Sequence, residues 1–140
     1  MAPAEESEST VLVVDDNAEV CELFSDILGM LGHRVTCARN GQEALDYLKS
    51  HGAPQLILLD LNMPVMNGWE FRRRQKADAR LADIPVVVVS AINDLAQSGD
   101  RMDAAEHLTK PVDLRTLIGV IGRFGGHEPP AASRGRRSLH

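Results

Sequence analysis

Three almost purely apolar runs constrain this chain more than anything else in it. They are Val11 to Val14 (VLVV), Leu56 to Leu59 (LILL) and Val86 to Val89 (VVVV). A strand with one wet face alternates polar and apolar residues, and these runs do not. Continuous runs of this length read as strands buried on both faces, as in a parallel sheet covered by helices. Each run stops at a polar group: Asp15-Asp16, then Asp60, then Ser90. A fourth segment, Glu106 to Thr109, is shorter and less apolar and stops at Lys110. In parallel α/β sheets the ligand site lies beyond the carboxyl ends of the strands. Acids, hydroxyl and lysine, far apart in sequence, are therefore expected at one edge. Three carboxylates held together repel one another, which raises their pKa values unless a cation neutralises them. An all-oxygen set of this kind suits a hard divalent cation such as Mg²⁺.

These segments, with DLNMP (Asp60 to Pro64), NGW (Asn67 to Trp69) and HLTKP (His107 to Pro111), resemble the receiver domain of two-component response regulators. The resemblance runs from about Val11 to Phe124 and holds in order, spacing and flanking residues. It implies that Asp60 is the phosphoryl acceptor. It makes Asp16 a direct metal ligand, Asp15 an acid that assists through water, and Asn62 a ligand through its backbone carbonyl. Ser90, with Ala91 beside it, matches the phosphoryl-binding position whose hydroxyl moves, and His107 the switch position. Lys110 matches the lysine that pairs with the phosphoryl group, and Lys110-Pro111 the peptide that is usually cis. The implied cofactor is Mg²⁺ (or Mn²⁺). The implied partners are a sensor histidine kinase or histidine phosphotransfer protein, and a downstream protein target. The implied fold is α/β: a doubly wound, five-stranded parallel sheet of flavodoxin-like order 2-1-3-4-5, with helices on both faces.

Composition agrees with one globular domain. The chain has 140 residues, 44% hydrophobic and 25% charged, enough for a single core. A formal charge of -5 argues against general nucleic-acid binding. No apolar stretch is long enough to span a bilayer, and the acidic start MAPAEESEST lacks a signal pattern, so membrane insertion and export are not expected. Cys21 and Cys37 form no CxxC and read as free, mostly buried thiols in a reducing, cytoplasmic compartment.

The organisation expected is a flexible arm over 1–9, a receiver domain over 10–125 and a disordered basic tail over 126–140. Asp16 or Asn17 caps a first helix whose apolar face is Val20, Leu23, Phe24, Ile27, Leu28 and Leu31, stopped by Gly32. Arg34 to Ala38 is a second strand. Asn40-Gly41 opens a helix carrying Ala44, Leu45 and Leu48. Asn67-Gly68 opens another, with Trp69 and Phe71 facing the sheet or its rim. A helix near Asn93 to Met102 has the most diluted periodicity. Leu114, Leu117, Ile118 and Ile121 form the apolar face of the last helix, which Gly119 and Gly122 weaken.

Simpler readings stand beside these. An Asp-Asp pair after a strand often only caps a helix. Arg72, Arg73, Arg74 and Lys76 read as a solvated face, and docking of an acidic partner is the sharper alternative. His33, His51, His127 and His140 read as surface residues. His107 stands where Tyr or Phe is commoner in the family; it is either an ordinary packed ring or a pH-dependent rotamer switch. The tail arginines, Arg134, Arg136 and Arg137, are too few for a nucleic-acid reading. The first function expected is a single-domain response regulator that signals through the surface formed by the helix near 93–102, strand five and the last helix. The alternative is a phosphorelay intermediate or phosphate sink. A phosphohydrolase with an aspartyl nucleophile is rejected, because its DxD pattern on the first strand is missing. An adaptor that is not phosphorylated is disfavoured by the intact acid, hydroxyl and lysine set. Neither a catalytic module nor a DNA-binding motif is evident, so the chain is expected not to be an enzyme beyond its own phosphorylation and dephosphorylation.

Overall fold

The structure is a computed structural model and describes residues 9–91 and 104–124. Five strands form one sheet: β1 (Ser9–Val14), β2 (His33–Ala38), β3 (Leu56–Leu59), β4 (Val86–Ser90) and β5 (Glu106–Thr109). All pairings are parallel, in the order β2-β1-β3-β4-β5. The described helices are α1 (Ala18–Met30), α2 (Gly41–His51), α3 (Gly68–Ala77) and α4 (Leu114–Phe124). The helix expected near 93–102, the arm before Ser9 and the tail from 125 lie outside the described residues.

Side chains alternate across a strand, so each apolar run feeds two cores. Leu12, Val14, Ile57, Leu59, Val86 and Val88 pack with Ala44, Leu45 and Leu48 of α2 and Phe71 of α3. Val11, Val13, Leu56, Leu58, Val87 and Val89 pack on the other face with Phe24 and Leu28 of α1 and Leu117 and Ile121 of α4. Double-sided burial is what the unbroken runs require. Each large aliphatic side chain so buried contributes about 1.5–3 kcal/mol of transfer free energy.

Three helices start in the same way. Asn17, Asn40 and Asn67 stand at the N-caps of α1, α2 and α3 and accept backbone N–H groups of the first turn. Glu19, Glu43 and Glu70 add negative charge to those first turns, where the helix dipole favours it. Gly32, with φ +95°, follows α1 in the left-handed region that glycine adopts without strain.

Several side chains differ from the sequence pattern. On α1, Leu23 is 52% exposed, and Cys21 takes its place on the buried face with Phe24 and Leu28. A 3.6-residue repeat cannot bury a stripe wider than its neighbours cover. On α4, Leu117, Val120 and Ile121 are buried while Leu114 and Ile118 are exposed. His33 is buried at the start of β2, not on the surface. Cys37 is exposed, not buried. Arg72 is not part of a solvated face: it is buried and donates to the Gln75 side chain at 2.7 Å. Gln75, wholly buried, donates in turn to the carbonyls of Leu81 and Ile84, which locks the α3–β4 connection. Arg73 and Arg74 both pair with Glu70.

Candidate phosphoryl-acceptor site

Register brings the site together. Val14 lies beside Leu59, so the next residues, Asp15 and Asp60, leave the sheet side by side. Ser90 pairs with Thr109 at the ends of β4 and β5, and Lys110 follows. The Asp60 amide donates to the Val14 carbonyl at 2.9 Å, and the Lys110 amide to the Ser90 carbonyl at 3.0 Å. The ladder thus continues into the site and fixes the backbone of the acids and the lysine.

Asp15, Asp16 and Asp60 each offer a carboxylate oxygen, and these atoms lie within 4.8 Å of one another. Asp15 and Asp60 are buried; Asp16 is exposed. Lys110 Nζ donates to Asp15 Oδ2 at 3.1 Å and stands 3.6 Å from Asp60 Oδ1. Asp15 Oδ1 also accepts the Asn17 amide at 2.9 Å, and Asp60 Oδ1 the Leu61 amide at 2.8 Å.

The electrostatics follow from burial and charge. Burial, and then the neighbouring Asp15 carboxylate, push Asp60 up from 3.8 to about 6, although Lys110 and the backbone amides of Leu61 and Asn62 oppose the rise. Burial alone would lower the Lys110 pKa. The hydrogen bond and charge of Asp15, with the charge of Asp60, outweigh burial and raise it. One ammonium thus serves two buried carboxylates, with an exposed third beside them. Negative charge remains in excess, and the donors are all oxygens, so the residues fit a hard divalent cation.

The comparisons with known proteins give the family. The family model described as response regulator receiver domain matches residues 11–122. The chain belongs to the response regulator receiver domain family. The polar-differentiation response regulator DivK of Brucella anthropi is 34% identical over 122 residues, covering 84% of this chain and 96% of DivK. Protein PilH of Pseudomonas aeruginosa is 33% identical over 113 residues, covering 79% of this chain and 93% of PilH. Among solved structures, a response regulator receiver protein from Pseudomonas putida superposes with a TM-score of 0.77 at 31% identity, covering 83% of this chain and 97% of that one. Chemotaxis protein CheY4 of Vibrio cholerae gives a TM-score of 0.73 at 28% identity, covering 84% and 98%.

In this receiver the switch positions named from sequence lie as follows. Ser90 is fully buried at the end of β4, and Ala91 follows it into the exposed edge. His107, half-buried, pairs with Val88, two residues before Ser90, so His107 and Ser90 share one face of the sheet. The Lys110-Pro111 peptide is cis. Asn62 is exposed, and its amide faces the Asp60 carboxylate. No helix of the described residues is long and apolar enough to cross a membrane.

Sequence reasoning gave Gly68 only a turn. The structure packs it against Asp60: its amide donates to the Leu61 carbonyl at 2.8 Å, and a Cβ there would meet the Asp60 carbonyl oxygen and Leu61 Cα. The NG pair after DLNMP was the available signal, but a turn glycine and a packing glycine look alike in one sequence. Cys21 was also missed; its Sγ reaches the Asp15 carbonyl at 3.8 Å.

Proposed function

We propose that this receiver accepts a phosphoryl group on Asp60 from a histidine kinase or a histidine phosphotransfer protein, in a reaction that needs Mg²⁺. The observation that supports this reading is the set of three carboxylates with one lysine at the carboxyl edge of the sheet. Asp15, Asp16 and Asp60, with the Asn62 carbonyl, would hold the ion. When bound, it supplies positive charge against the acids and against the incoming phosphoryl oxygens.

The protein's own groups do the rest. A freed Asp60 oxygen forms the bond to phosphorus while the bond from phosphorus to the donor's ring nitrogen breaks, and that electron pair leaves with the imidazole. Lys110, already between Asp15 and Asp60, pairs with the charge that arrives. The Ser90 hydroxyl donates to a phosphoryl oxygen, and the space it leaves is open to the His107 ring on the same face. Phosphorylation shifts the surface around β5 and α4 only by such differential contacts. The output is a protein contact rather than DNA binding, and the setting is cytoplasmic.

The test is incubation with Mg²⁺ and acetyl phosphate, followed by mapping of the hydroxylamine-sensitive adduct. Label on Asp60, absent without Mg²⁺ and absent in Asp60→Asn, is the expected result. Wild-type labelling in Asp60→Asn would remove the assignment.

A further inference from the structure

Cys21 and Cys37 are sixteen positions apart in sequence, yet the fold makes them neighbours. Cys37 pairs with Val13, whose side chain joins the core on the α1 side of the sheet. Cys37 therefore faces α1, and Cys21 of α1 faces back into that same core. The two thiols lie along one groove of about 430 Å³ between α1 and β2, which reaches Asp15. Burial pushes the Cys21 thiol up, and the neighbouring Cys37 adds to the rise. Ser25 Oγ and Cys37 Sγ, 3.7 Å apart, share a hydrogen bond. Cys37 is exposed and Cys21 buried.

We infer that Cys37 and Cys21 form an oxidative modification site, in which the Cys37 sulfur attacks a neutral peroxide and the pair then closes to a disulfide between β2 and α1. Exposure decides the order, since only Cys37 is open to an oxidant from solvent. The lining decides the oxidant class. Asp15, Glu22 and Asp26 outnumber Arg39 along the groove, so it disfavours anionic disulfides such as oxidised glutathione and admits uncharged hydrogen peroxide. In the first step the Cys37 sulfur takes one oxygen from hydrogen peroxide, giving the sulfenic acid and water. In the second, the Cys21 sulfur bonds to the Cys37 sulfur, and the hydroxyl leaves as water with the Cys21 proton. Two thiols and one peroxide thus give one disulfide and two waters. The bond would span the groove and tie together the two elements that hold Asp15: the Ala38 carbonyl, next to Cys37, accepts the Asp15 amide, and Cys21 Sγ touches the Asp15 carbonyl.

The experiment is titration of the reduced full chain with hydrogen peroxide, read by intact mass and by non-reducing peptide mapping. The wild type should lose two hydrogens, yield one Cys21–Cys37 linked peptide without dimer, and regain the starting mass with a dithiol reductant. Cys21→Ala should not lose them, and should instead trap a dimedone-reactive sulfenic acid on Cys37. A wild type that gains only oxygens, forms only intermolecular dimers or does not react would overturn the inference. So would first oxidation at Cys21. The wild-type mass alone decides the cross-link, so the result is independent of the folding of any variant. It is equally independent of whether Asp60 is the acceptor.

Discussion

Gly68 packs directly on the backbone of Asp60. A Cβ at position 68 would sit 2.8 Å from Leu61 Cα and closer still to the Asp60 carbonyl oxygen, nearer than real Cβ atoms come to a neighbour. The obstacle is backbone, which cannot swing aside as a side-chain tip would. The first turn of α3 and the Asp60–Leu61 segment are therefore one packed unit.

Gly68→Ala should accordingly cost about 1–3 kcal/mol, the usual cost of overpacking a tight site. Urea denaturation should show a lower midpoint with an unchanged slope. Phosphorylation by acetyl phosphate should slow as well, because relief of the clash displaces Asp60. An unchanged midpoint would mean that the loop yields freely and that the contact carries no constraint.

Asp60 provides a signed pH prediction. Its carboxyl is raised from 3.8 to about 6 in the folded, metal-free protein, first by burial and then by Asp15. The folded state thus holds more protons than the unfolded state between these values, and stability falls as pH rises from about 4 to about 6. Above that window the full penalty is present, on the order of 2–3 kcal/mol. Asp60→Asn removes it. The variant should melt higher than wild type at pH 7.5 without metal, and the gap should narrow towards pH 4. Mg²⁺ should stabilise the wild type and much less the variant. Equal melting temperatures across pH would contradict the raised carboxyl.

Much of this was legible because the signal is one-dimensional. VLVV, LILL and VVVV are buried on both faces whatever they pack against, and a polar residue ending such a run must emerge at the sheet edge. That alone brings Asp15, Asp60 and Ser90 to one edge, and the shorter fourth segment adds Lys110. What stayed hidden depends on three-dimensional neighbours. Leu23 and Cys21 both fit an apolar helical face, and only the position of the sheet shows that Cys21 is inside. Arg72 looks like its neighbours Arg73 and Arg74, but Gln75 and the loop beyond it make Arg72 a buried donor. The nearness of Cys21 and Cys37 follows from α1 packing on β2, which no spacing rule encodes.

Val65 lies in the loop after Asp60 with φ +66° and is 83% exposed. The Met66 amide donates to the Pro64 carbonyl at 2.7 Å, closing a three-residue turn around it. A β-branched side chain is strained at that φ, and its exposure means that no packing compensates. Val65→Gly should raise stability by about 0.5–1 kcal/mol despite the entropy that glycine adds to the unfolded chain. Chemical denaturation reads this directly. A loss of stability would show that the Val65 side chain makes a contact worth more than the strain.

Lys110 is the counter-charge for two buried acids, bonded to Asp15 at 3.1 Å and 3.6 Å from Asp60. Lys110→Met keeps much of the stem but removes the ammonium, leaving the carboxylates uncompensated. The fully buried limit for breaking such a pair is about 3–5 kcal/mol. The lysine side chain is 30% exposed, so solvent screening reduces the expected loss to about 1–2 kcal/mol in metal-free buffer. Since Lys110 is one of the groups that lower Asp60, the Asp60 titration followed by carboxyl NMR should move above about 6 in the variant. The same lysine repels a cation held by those acids. Calorimetry at pH 8, where Asp60 is ionised in both proteins, should show the variant binding Mg²⁺ about five- to tenfold more tightly, the equivalent of roughly 1 kcal/mol of relieved repulsion. Phosphorylation should nonetheless fail to shift the surface around β5 and α4, because the charge that answers the phosphoryl group is gone. Weaker Mg²⁺ binding in Lys110→Met would show that the lysine organises the acids more than it competes for them.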